Sequence, residues 1–159
     1  MSQFKVEKQD ANGFVTIRFS GSIDEDANFG EISADRSPKI VLDLDGVESI
    51  NSCGIREWIK WLKTIPNTSQ IEYQKCPKVI VDQINMVSGF LPTNAKVTSF
   101  YVPYFAEDSG NEKQVLFTEG KEFSPGKVNA PSEMKDDKSG ETLELDVIET
   151  KYFKFLNAK

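Results

Sequence analysis

The sequence predicts an α/β protein: a mixed β-sheet with helices packed mainly on one face, followed by a small C-terminal β-rich extension. Three observations carry that prediction. The apolar run Ile40, Val41, Leu42, Leu44 reads as a buried strand, and it leads through a polar turn into a helix. In that helix Ile55, Trp58, Ile59 and Leu62 recur at the i, i+3, i+4, i+7 spacing of one apolar face. Strand and helix patterns then alternate again, which implies right-handed crossovers and parallel pairing, before the character changes beyond residue 105.

Element by element, Phe4-Lys5-Val6-Glu7 alternates weakly and Phe14, Val15, Ile17 and Phe19 alternate more clearly across an Asn12-Gly13 turn, which predicts an opening hairpin. Residues 23–32 are acidic around Asp24-Glu25-Asp26 and fit a short helix or a loop. Ser37-Pro38 leads into the buried strand at 39–45, and Asp45-Gly46 separates it from a short second apolar approach, Val47 to Ile50. The central helix is expected from Ser52 to Ile65, stopping before Pro66. Ile71 to Cys76 alternates as a strand, Pro77 opens a second helix with Gly89 as its C-cap, and Lys96 to Phe105 alternates again. Glu107 to Asn111 is a turn within a hairpin spanning 100–118. Residues 119–142 are rich in Gly, Pro, Ser, Lys and Asp and predict a loop or a partly disordered link. A strand at Leu143 to Val147 and the aromatic cluster Tyr152, Phe153, Phe155, Leu156 close the chain, a cluster expected to dock onto something. This divides the chain into residues 1–100 and a small extension, 101–159.

Composition removes whole classes of function. The 159 residues contain no histidine, so Ser-His and Cys-His nucleophilic pairs, histidine bases and histidine-containing metal sites are all absent. Two cysteines, Cys53 and Cys76, are too few for a four-thiolate zinc site and read as small buried hydrophobes rather than a disulfide. The net charge of −6 is dispersed, against nucleic-acid or anionic-membrane binding. With no apolar run of membrane-spanning length and no signal-peptide core in MSQFKVEKQD, a cytoplasmic protein is expected.

The residues that stand out lie where the buried strand meets the helix: Asn51-Ser52-Cys53-Gly54-Ile55-Arg56. Asn51 and Ser52 occupy the N-cap region, next to N–H groups that a helix leaves unpaired, and a phosphate placed there would meet the positive end of the helix dipole. This segment, within this order of elements, resembles the STAS domain of anti-sigma-factor antagonists over residues 4–100. The family signature is a buried strand, then Asp-Ser-Ser-Gly or Asp-Ser-Thr-Gly, then an aliphatic helix. Here Asn51 stands in place of the Asp and Cys53 in place of the second hydroxyl residue. The resemblance implies that Ser52 is phosphorylated by a partner Ser kinase that doubles as an anti-sigma factor, with 51–56 as the partner-binding surface. It implies no catalytic residue, no metal and no cofactor. The extension is similar to a zinc ribbon that has lost its metal, with ligand positions falling at Ala106 and Ser109 and at Ala130 and Glu133, none a thiolate. Tyr104, Phe105, Phe117, Tyr152 and Phe155 would then hold it by packing.

Other readings stay open at this point. Ser52 serves equally as a plain cap or turn residue, and the chain as a constitutive scaffold or subunit that has lost the switch. Cys53 at a helix N-terminus is also the residue a thiol-based sensor or enzyme would use, and a ligand-binding STAS-like domain is a further option. Asp43 and Asp45 share a strand face but lack a partner base or a metal-ligand set, and so read as turn-forming or solvated acids. Trp58 faces the core, whereas Trp61 flanks it; an exposed Trp61 would suit a protein contact, but core packing is the expectation.

Overall fold

The structure is a computed structural model that describes residues 3–11, 13–29, 32, 38–124 and 126–157. Asn12 of the expected first turn and Ser37 ahead of the buried strand lie outside the described residues. Strand β1 (Lys5–Ala11) pairs antiparallel with β2 (Phe14–Ile23), Val6 opposite Phe19 and Lys8 opposite Ile17. β2 runs parallel to β3 (Lys39–Ile50), which is parallel to β4 (Gln70–Gln74), itself parallel to β5 (Ala95–Val97). The sheet order is β1-β2-β3-β4-β5. Helices α1 (Ser52–Leu62) and α2 (Lys78–Met86) form the crossovers from β3 to β4 and from β4 to β5. Both crossovers advance the sheet in the same direction, so their common right-handedness puts both helices on one face.

Three sequence expectations shift in detail. β3 does not stop at Asp45-Gly46; its pairing with β2 slips between Arg18 and Ser20, and the strand continues to Ile50. Gly46 permits this, because a Cβ there would lie 2.7 Å from Ser20 Cβ. The central helix ends at Leu62, and Thr64 and Ile65 close it with turn hydrogen bonds to Trp61 and Leu62. α2 is capped at its C-terminus by Val87 in extended conformation, and Gly89, with φ +89°, makes the turn beyond it.

The core follows from β3's alternation. Ile40, Leu42 and Leu44 are fully buried toward the helices, alongside Ile17, Phe19, Ile71 and Tyr73. Trp58 is fully buried in their midst, stacked on Phe90 at 5.7 Å and edge-on to Phe19 at 5.0 Å. Its indole N–H donates to Tyr73 Oη at 3.2 Å, and the Tyr73 hydroxyl donates to the Phe90 carbonyl at 2.6 Å, so neither polar atom is left bare by burial. Trp61 is buried too, its N–H donating to the Ile32 carbonyl at 3.1 Å; it is a core residue and not an exposed anchor. The opposite face of the sheet is polar, with Arg18 on Asp43 at 3.3 Å and Lys39 on Glu72 at 3.4 Å.

From β5 the chain continues directly into β6 (Ser99–Phe105). The Cys76 N–H donates to the Ser99 carbonyl and the Tyr101 N–H to the Cys76 carbonyl, so β6 grows from the edge of the first sheet. β6 then pairs antiparallel with β7 (Glu112–Thr118). A two-stranded hairpin, β8 (Phe123–Ser124) and β9 (Lys127–Val128), follows, then β10 (Glu133–Lys135) and β11 (Thr142–Leu145). The second sheet has the order β10-β11-β6-β7. The stretch 119–142, expected as a loop or partly disordered link, thus holds three short strands in its described residues. Their residues are too few to announce them; pairing does, β8 with β9 and β10 with β11.

Two short helices, α3 (Glu149–Tyr152) and α4 (Lys154–Asn157), close the chain against α2. The closing aromatics dock as expected, around Phe100: Phe117, Phe123 and Phe155 lie 5.1–5.7 Å from its ring, and Tyr152 and Phe153 6.0–6.3 Å. Of the side chains expected to hold the extension, Tyr104, Phe117, Tyr152 and Phe155 are buried and Phe105 is half-buried. The buried side chains of both sheets form one continuous cluster. No helix among the described residues is long and apolar enough to cross a membrane.

Candidate functional site

The turn at 51–56 is built on the last carbonyl of β2. Ile23 O accepts the Asn51 N–H at 3.1 Å, which brings the end of β3 beside the end of β2. Asn51 is extended (φ −105°, ψ −179°) and is the N-cap of α1: its Oδ1 accepts the Gly54 N–H at 2.8 Å, and its carbonyl accepts the Ile55 N–H at 2.8 Å. Its Nδ2 donates to Glu25 Oε1 at 3.0 Å, a partner 26 residues away. Gly54 passes so close to the Ile23 carbonyl that a Cβ would sit 2.0 Å from the oxygen. The glycine is therefore required by close approach of two segments, and it is buried.

Ser52 is the first residue of α1 and is exposed, and its hydroxyl has no hydrogen-bond partner among the described residues. Cys53 and Ile55 are half-buried; Arg56 is exposed and reaches Glu57 at 3.7 Å. Of the six positions, then, Gly54 shapes the turn while Ser52 and Arg56 present side chains to solvent. The first turn of α1 holds no acidic residue, so its N-terminal field is uncompensated from within the helix. Negative charge lies instead across the turn. Glu25 is held below its ordinary value by its backbone hydrogen bond and by Asn51, and Asp24 accepts the Asp26 N–H at 3.0 Å. A hydroxyl placed in this way, with no base in contact, can receive a group but is not activated to attack one.

The remaining candidates are tied into structure. Asp43 is buried, accepts the Asp45 N–H at 3.1 Å and binds Arg18; Asp45 accepts the Tyr101 hydroxyl at 2.7 Å. Burial, together with Asp45, pushes the Tyr101 phenol up to about 12, so it remains a hydrogen-bond donor. The two carboxylates are not a matched acid and base. Cys76 is fully buried, which raises its thiol well above the ordinary range, and both cysteines are free thiols.

In the extension, two turns share one hydrogen-bond pattern. The Ala106 N–H donates to Asn111 O and Gly110 N–H to Ala106 O, at 2.8 and 2.7 Å; Asp136 N–H donates to Glu141 O and Gly140 N–H to Asp136 O, at 2.9 and 2.8 Å. In each, the serine three residues in, Ser109 or Ser139, accepts the N–H two residues later at 3.3 Å, and the glycine has φ of +76° or +73°. The matched positions are Ala106, Ser109, Asp136 and Ser139. Ala130 and Glu133, the second pair of positions expected for a ribbon, share no turn: Ala130 lies in the connection and Glu133 opens β10. Between the two turns, Lys113 Nζ meets Asp136 Oδ1 at 2.8 Å, which lowers the Asp136 carboxyl to about 2. Ala, two Ser and one Lys-bound Asp do not make a zinc donor set, and no cluster of three or more His, Cys, Asp or Glu suited to a metal occurs among the described residues.

Glu25 is the site residue that the sequence hid. Its acidic segment was visible, but nothing local ties it to a residue 26 positions on.

The sequence matches no family model and no curated protein. Among solved structures it is similar to an anti-sigma factor antagonist from Mycobacterium paratuberculosis, at 23% identity over 48% of this chain and 71% of that one, with a TM-score of 0.40. At that score the overlap is a partial likeness, and the fold rests on the strand order and register themselves.

Proposed function

We propose that this protein is a non-enzymatic, cytosolic partner-switching domain of the anti-sigma-factor-antagonist type, with Ser52 as its phosphoacceptor. The observation that carries the reading is the placement of an exposed, unpartnered Ser52 hydroxyl at the first position of α1, on a turn braced by Asn51, Gly54 and the Ile23 carbonyl. Support also comes from the sheet, antiparallel at β1-β2 and parallel from β2 to β5, with that turn at the end of its central strand.

Unmodified, Ser52, Ile55 and Arg56 form the surface that docks on a Ser kinase acting as anti-sigma factor. Phosphorylation adds about −1.5 to −2 charge at that contact. The new charge gains from the helix N-terminus but stands beside Glu25, so a partner face suited to the neutral turn is repelled. In the extension, a two-turn ribbon without metal is the reading we favour, with the Lys113–Asp136 pair tying β7 to the second turn.

One observation favours a second reading, a constitutive scaffold. Asn51 replaces an acidic residue and is tied on both sides, to Gly54 and to Glu25. Phosphopeptide mass spectrometry on the protein from its own cells separates the two, read on the peptide from Ile40 to Arg56. Phosphate on Ser52, together with a partner retained by Ser52→Ala and released by Ser52→Asp, supports the switch. An unmodified peptide under all growth conditions, with both variants retaining the same partner, overturns it in favour of the scaffold.

A further inference from the structure

A second site lies away from the Ser52 turn, between α2 and the segment 145–154: an open groove of about 730 Å³, within the size range of small-molecule sites. Its banks carry Met86 and Ile148, 71% and 62% exposed, the large apolar side chains most open to solvent among the described residues. Leu145 and Val147 continue the apolar surface between them. Methionine and isoleucine face each other across the groove as a small exposed apolar patch.

The groove is rigidly built. Asn85 on α2 donates from Nδ2 to the Tyr152 carbonyl and accepts the Phe155 N–H at Oδ1, both at 2.9 Å, which clamps the two banks together. Its charges are unequal. Asp82 is bound by Lys78 at 2.9 Å, leaving Asp146 as the free carboxylate against two exposed lysines, Lys151 and Lys154, with no ion pair among the described residues. On a chain of net charge −6, that is a local cationic end on an apolar trough. An added β-strand does not fit, because the Leu145 and Asp146 N–H groups already donate to the Ser132 and Pro103 carbonyls.

We propose that this groove binds a single-chain anionic amphiphile, its tail along Met86, Leu145, Val147 and Ile148 and its carboxylate or equivalent head at Lys151 and Lys154. The proposal is independent of the Ser52 reading. The test is methyl NMR on the full chain labelled at its three methionines, titrated with sodium dodecanoate below its micelle concentration. Saturable shifts at Met86, with Met134 in the ribbon hairpin unmoved, are expected. Dodecyltrimethylammonium, and dodecanoate on the Lys151→Glu/Lys154→Glu variant, should each bind about tenfold more weakly, the factor that two lost surface ion pairs give. An unchanged Met86 signal, or equal affinity for the cationic amphiphile, overturns the proposal. A Met86 shift that tracks protein concentration with no amphiphile present also overturns it and assigns the groove to a second copy.

Discussion

The turn at 51–55 and the twin turns at 106–111 and 136–141 solve one problem in opposite ways. In each, a polar side chain accepts a backbone N–H and a glycine closes the turn. Gly54 is there because another segment presses on it: Ile23 O occupies the space a Cβ needs. Gly110 and Gly140 are there because the chain needs positive φ, and nothing lies within 4 Å of a Cβ built on either. The first glycine answers a tertiary demand and the other two a local one. The site turn is thus coupled to the sheet beneath it, whereas no neighbouring segment crowds the glycines of the two extension turns.

That contrast can be broken by substitution, and the largest effect is expected at Gly54. Gly54→Ala forces β2 and α1 apart and should destabilise the fold by about 3 kcal/mol, the upper range for overpacking, measured by urea unfolding. Gly110→Ala and Gly140→Ala, strained in φ but unobstructed, should each lose only about 1 kcal/mol. Equal losses at all three positions would erase the distinction. Next, Asn51→Ala removes the cap from Gly54 and should cost about 1 kcal/mol, with Asn51→Asp restoring only part of it, because Asp keeps the cap but sets a second carboxylate against Glu25. If Asn51→Ala leaves stability unchanged, the cap is not what holds the turn.

The smallest effect is expected at Lys113→Ala, because the Lys113–Asp136 pair is partly exposed to solvent and should weaken further in salt. Its pH dependence has a definite sign. The Asp136 carboxyl is lowered from 3.8 to about 2 in the folded protein, so its contribution is present above pH 4 and fades as pH falls toward 2. Wild type and Lys113→Ala should therefore differ at neutral pH and converge at about pH 2 in a denaturation series. A difference that persists undiminished in acid would show that Lys113 acts through something other than Asp136.

Much of the first sheet was legible in the sequence. The alternation in β2, the apolar run of β3 and the 3.6-residue period of α1 are local patterns, and each reports which way a side chain must face to leave water. Asn51 as a cap was legible for the same reason. Less visible were β8, β9 and β10, whose two or three residues have too little pattern of their own and become strands only by pairing. The turn at Asp136 to Glu141 was not legible either, because it shows its kinship to 106–111 only through hydrogen bonds. Trp61, placed by spacing at the margin of the helix face, proved buried because Phe19 and Phe29 reach around to it at 5.6 and 5.9 Å.

By itself, the sequence determined the α/β class, the two crossover helices, the strand-to-helix junction at Asn51 and the absence of histidine chemistry, all properties of composition or of neighbours along the chain. Tertiary structure decided that Glu25 grips Asn51, that Gly54 rests on Ile23, that Lys113 meets Asp136, and that Met86 faces Ile148 across a groove. Those contacts join residues far apart in sequence, and periodicity records only which face a residue prefers. Which distant residue it meets there is set by packing the whole chain into one core.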